Sequence, residues 1–131
     1  MISNYMGTIF EHICLEHMVR MAKCGKLPVI PSCIGKWWGA NPVTKKQDDI
    51  DVLALGRDGT SAIFCECKFR NTLFDKIEFE DLITASNCFP QVERKYYYLF
   101  SKSGFTKRVL DVASARTDVK LITPKELFLC C

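Results

Sequence analysis

Asp49-Ile50-Asp51-Val52-Leu53-Ala54-Leu55, then Gly56-Arg57-Asp58-Gly59, then Ser61-Ala62-Ile63-Phe64-Cys65-Glu66-Cys67-Lys68-Phe69 is the run that decides the fold. Two stretches rich in β-formers flank a segment of turn residues, the pattern of a β-hairpin. Upstream, Tyr5 to Lys23 spaces its apolar residues helically, with Gly25 as terminator and Pro28 and Pro31 breaking regular structure. Val29 to Trp38 reads as an irregular strand or loop, and residues 41–47 as a polar loop. Downstream, Phe74 to Phe89 suits a helix and Lys95 to Ser101 a buried central strand. Phe105 to Ala115 reads as a helix and Val119 to Ile122 as a short strand, and Thr123-Pro124 opens a last helix. Strands separated by helices imply parallel neighbours, whereas the hairpin is antiparallel. The expected fold class is α/β, a mixed sheet with helices on both faces, in a single domain over residues 1–131.

Composition narrows the function classes. The 131 residues are 48% hydrophobic and 25% charged, proportions of an ordinary globular domain. A formal charge of +3 neither demands nor forbids a nucleic-acid partner. No apolar run reaches the ~20 residues of a membrane span, and no signal peptide opens the chain, so a cytoplasmic protein is expected. Eight cysteines scattered through helix and strand patterns read as reduced, buried thiols rather than a disulfide scaffold.

The chemistry concentrates in the hairpin. Glu66 and Lys68 are two apart on one strand and share a face, while Cys65 and Cys67 point to the other, into a helical layer. Asp51 lies on the partner strand, near Glu66 across the hairpin if their faces match. Charges amid Ile, Val, Leu, Phe and Cys are costly to bury without a reason. Two acids and a lysine at one sheet edge can hold a hard cation such as Mg²⁺ or Mn²⁺, which takes one or two protein carboxylates plus phosphate. Asp51 and Glu66 would be ligands, with the Cys67 backbone carbonyl a third. Lys68 would position a water or stabilise charge on phosphorus. Glu11, on the first helix, would assist through a water.

These residues, with the hairpin and the helix–strand order after it, resemble the PD-(D/E)XK nuclease superfamily. Five ordered segments resemble more closely the nuclease-like C-terminal domain of unknown function that archaeal and bacterial ATPases carry. They are Gly7-Thr8-Ile9-Phe10-Glu11, Ile34-Gly35-Lys36-Trp37-Trp38-Gly39, Ile50-Asp51-Val52, Glu66-Cys67-Lys68 and Phe100-Ser101-Lys102-Ser103-Gly104-Phe105. Many members of that close family carry Glu before the Ile-Asp pair, where this chain has Asp49. The resemblance implies a restriction-endonuclease-like sheet and Mg²⁺-dependent cleavage of DNA. It implies too that the domain is excised from a longer ATPase, for the chain has no GxxxxGK[ST] phosphate loop of its own. Many nucleases of this class act as dimers, so a homodimer is a further expectation. The alternatives are a catalytically silent nucleic-acid-binding module and a docking or regulatory element of the ATPase.

Other signals read more plainly. His12 and His17 are five apart, not the four that aligns two metal ligands on a helix. Of Trp37-Trp38, one is expected in the core and the other partly exposed. Tyr96-Tyr97-Tyr98 reads as strand packing.

Overall fold

The computed structural model describes residues 2–42 and 44–127, with no account of the side chains of residues 2–5. Its elements run α1 (Ile2–Lys23), β1 (Pro31–Ala40), β2 (Gln47–Gly56), β3 (Ser61–Lys68), α2 (Lys76–Ser86), β4 (Arg94–Ser101), α3 (Lys107–Ala115), β5 (Val119–Ile122) and α4 (Pro124–Leu127). The five strands form one sheet in the order β1-β2-β3-β4-β5. The β1–β2 and β2–β3 pairs are antiparallel, and the β3–β4 and β4–β5 pairs are parallel. The mixed α/β architecture expected from the hairpin and the later helix–strand alternation is thus present.

Alternation along the strands gives each sheet face its own core. One face carries Val52, Ala54, Ile63, Cys65, Cys67, Tyr98 and Phe100 against Phe10, Cys14 and Met18 of α1 and Leu127 of α4. The other carries Leu53, Ala62, Phe64, Tyr97 and Leu99 against Phe79, Leu82 and Ala85 of α2 and Val109 of α3. Helices therefore cover both faces, and Cys65 and Cys67 point into the α1 layer as the alternation demands.

Local chemistry sets the boundaries. The α2 helix starts two residues later than the periodicity suggests. Asp75 caps it, its side chain and that of Glu78 forming a reciprocal capping box. Thr106 caps α3, its hydroxyl oxygen accepting from the Val109 N–H. Phe74 and Phe105, placed inside those helices by the sequence pattern, instead make a parallel bridge just before them. Ile77, counted among the apolar positions of its helix, is exposed, while Glu78 turns inward and pairs with Arg70.

The cysteine reading needs one correction. Cys14, Cys33, Cys65, Cys67 and Cys88 are free, but Cys24 is disulfide-bonded. It sits one residue past α1, outside the helical layer that would have buried a thiol. Cys33 is exposed rather than buried, on the edge strand β1. Cys130 and Cys131 lie outside the described residues. Among the described residues no helix is long and apolar enough to cross a membrane.

Candidate functional site

An irregularity in β2 builds the site. Gly35 of β1 lies opposite Leu53 and Trp37 opposite Ile50, so β2 takes three steps where β1 takes two. That extra residue is a bulge at Asp51-Val52, and it lets Ile50 and Leu53 both face the α2 layer. The β2–β3 ladder ends at Val52 opposite Cys65. Just beyond it, the backbone N–H of Cys67 donates to Asp51 Oδ2 at 2.9 Å. The carboxylate takes over a donor that the departing strand would otherwise leave unpaired. In a strand, the N–H and C=O of one residue leave by the same edge, so the Cys67 carbonyl also faces β2.

Glu66 lies beside Asp51, close enough for the Asp51 carboxylate to act on its carboxyl. Its side chain is 16% exposed, and Lys68 Nζ lies 3.3 Å from its Oε2. Burial, and then the neighbouring Asp51 charge, push the Glu66 carboxyl up to about 9, with Lys68 opposing the shift. Burial works to lower the Lys68 ammonium, but Glu66 and Asp51 together raise it, so the lysine stays charged.

Glu11 stands further off. It reaches the group through Lys36, whose Nζ lies 3.2 Å from Glu11 Oε1 and 4.0 Å from Asp49 Oδ2. Glu11 and Lys36 line a hollow of about 270 Å³ with Thr8, His12, Leu15 and Asp51. Glu66 and Lys68 open instead onto a hollow of about 380 Å³, lined also by Asp48, Asp49 and Asp81. The structure thus brings Asp51, Glu66, Lys68 and the Cys67 backbone together, and places Glu11 across the sheet end from Glu66 and Lys68. Burial opposes the Lys36 ammonium, but the Glu11 bond and the charges of Asp51 and Asp49 raise it overall. Sequence reasoning gave Lys36 no part in the site. Its signal was the glycine-bounded segment Ile34-Gly35-Lys36-Trp37-Trp38-Gly39 that holds it. His17 is buried against Phe100, away from any metal-binding arrangement.

The donor set fits a hard divalent cation. Among the described residues no three His, Cys, Asp or Glu side chains converge as a metal cluster. Mg²⁺ needs only one or two carboxylates, completing its shell with water and substrate phosphate. Burial and the Asp51 charge raise the Glu66 carboxyl, so a cation held there would have to favour its ionised form against both.

Comparison with known proteins places the chain without assigning it an activity. An uncharacterized protein of Methanocaldococcus jannaschii, MJECL04, is 30% identical over 69 residues, 53% of this chain and 14% of that protein. A crystal structure of a protein of unknown function, AF1548, superposes with a TM-score of 0.46 at 19% identity, over 82% of this chain and 55% of that one. The chain therefore spans about half or less of the length of these two proteins. Residues 1–82 match the DUF234 family, a segment that contains Glu11, Lys36, Asp51, Glu66 and Lys68. The chain belongs to that family, described as archaeal and bacterial proteins of unknown function.

Proposed function

We propose that this domain is a divalent-metal-dependent phosphodiesterase acting on DNA, working as part of a longer ATPase. The observation that carries the reading is Asp51, held by the Cys67 N–H at 2.9 Å, beside the half-buried Glu66 with Lys68 3.3 Å away. A carboxyl shifted by burial and a specific charged neighbour, opening onto a hollow, is the physical mark of a functional-site candidate.

Asp51 and Glu66 would hold Mg²⁺ or Mn²⁺, with the Cys67 carbonyl on the same edge as a further donor. The ion, when bound, lowers the pKa of a coordinated water and neutralises the scissile phosphate. Lys68 remains a cation beside Glu66 and is free to turn its remaining N–H donors toward an attacking water or a phosphate oxygen. The Cys67 N–H fixes the Asp51 carboxylate so that it need not reorganise when charge arrives. Glu11 acts at one remove, anchoring Lys36 at the mouth of the Asp51 hollow.

The test is cleavage of single- and double-stranded DNA in Mn²⁺ and in Mg²⁺ by the wild type, Glu66→Gln and Lys68→Ala. The expected result is loss of at least about 100-fold in both variants, each still melting cooperatively. Cleavage that persists in both variants, or none by the wild type in either metal, refutes the nuclease reading.

A further inference from the structure

We propose that Trp38 is a stacking platform for an unpaired nucleobase, so that the ligand of this sheet end is single-stranded nucleic acid. The inference rests on the proposed function for its setting and adds the class of substrate. Trp37 and Trp38 are neighbours with opposite fates. The Trp37 ring packs on Phe89 with centroids 4.9 Å apart, inside the α2-side core. Trp38 is 63% exposed on the edge strand. An indole offers a flat aromatic face of the size on which a nucleobase stacks.

Its surroundings identify the ligand. Trp38 lines a hollow of about 350 Å³ with Lys36, Gln47, Asp48 and Asp49. Lys36 also lines the Asp51 hollow, and Asp48 and Asp49 also line the hollow of Glu66 and Lys68. The indole's hollow therefore adjoins both the hollow of Asp51 and that of Glu66. The two acids beside the indole already have partners: Asp48 accepts from Asn41 at 2.8 Å, and Asp49 lies 4.0 Å from Lys36. Lys45 and Lys46 follow in the exposed loop and supply cations for backbone phosphates. A base within a duplex has both faces covered by its neighbours and its edge paired, so only an unpaired base can lie flat on the indole.

The test measures anisotropy of a labelled dT 20-mer, an rU 20-mer and a fully paired DNA hairpin in EDTA. The proteins are the full chain, Trp38→Ala, Trp38→Phe and Glu66→Gln. Trp38→Ala is expected to weaken single-strand binding about tenfold, Trp38→Phe to restore most of it, and hairpin binding to change less than twofold. Single strands should quench intrinsic fluorescence in the wild type and not in Trp38→Ala. The two single strands report whether DNA or RNA is preferred, and dependence on Trp38 in either supports the platform. Equal affinities of wild type and Trp38→Ala, equal losses on single strand and hairpin, or no single-strand binding overturn it. If the wild type cleaves nothing yet binds single strands through Trp38, only the nuclease reading fails. If Glu66→Gln loses cleavage while binding ignores Trp38, only this inference fails.

Discussion

Replacing Glu66 by Gln tests the carboxyl contact through stability alone, before any substrate is known. In the metal-free fold, burial and Asp51 hold the Glu66 carboxyl protonated at neutral pH. The unfolded chain titrates it near the ordinary 4.5. Folding at pH 7 must then take up a proton that the unfolded carboxylate has already lost, at a cost of about 3 kcal/mol. The folded state binds that proton more tightly, so this contribution is fully favourable below about pH 4.5 and is lost as pH rises toward the folded value. Gln has the same shape and no proton to take up. It keeps an N–H donor for Asp51 where the protonated carboxyl offered its O–H.

The stability gap between Glu66→Gln and the wild type should therefore be near zero at pH 4.5 and widen toward about 3 kcal/mol at pH 7. For a domain of this size that ceiling is about 10 °C in Tm, with partial solvation of the pair reducing it. The assay is thermal unfolding by circular dichroism in EDTA from pH 4.5 to 8, read as the difference between the two proteins so that other titrations cancel. Two parallel melting curves would mean that Glu66 ionises normally in the fold, and the case for the site would go with it.

Two further perturbations probe the frame around the site. His17 is buried on α1 with Nδ1 unpartnered, and burial followed by the charges of Arg20 on its own helix and Lys120 on β5 lowers its pKa, while Glu126 on α4 opposes them. The unfolded chain takes up this proton before the fold does, so stability falls as pH drops below about 6.5, and His17→Phe should flatten that limb in urea titrations at pH 5 and 7. A Cβ at Gly39 would stand 2.7 Å from Cζ2 of Trp37, so Gly39→Ala should lower stability by about 1–3 kcal/mol, whereas Trp38→Ala should change it by less than about 0.5 kcal/mol; equal effects would mean the two tryptophans are not divided between core and surface as described.

The hairpin was legible because alternation and turn residues act locally. Cys65 and Cys67 face the α1 layer, and Glu66 and Lys68 the other side, as a period of two requires. The antiparallel-then-parallel sheet followed from where helices interrupt the strands. The bulge at Asp51 was not legible. It depends on how Gly35-Lys36-Trp37 of β1 registers against β2, a long-range pairing that leaves no periodic trace in either strand alone. The same reason hid Lys36, whose partners Glu11 and Asp49 come from two other elements. Ile77 misled because apolar spacing counts residues without knowing which side of a short helix meets the sheet, and the capping pair of Asp75 and Glu78 decided that instead.

The site's cost is itself an argument about its purpose. A sheet end that needed only stability would fill the place of Glu66 with an apolar residue like Phe64, two positions earlier on the same face, and lose no proton balance at pH 7. Instead the bulge spends a backbone irregularity to swing Asp51 against Glu66, and the Cys67 N–H locks it there. Lys68 relieves the pair only in part, because Glu66 remains protonated with the ammonium 3.3 Å away. Under the proposed function, a bound cation would favour the ionised form of Glu66 and offset that cost. Arg116 with Asp118 at 2.8 Å marks the contrast: there each charge meets its opposite, whereas Asp51 and Glu66 set acid beside acid.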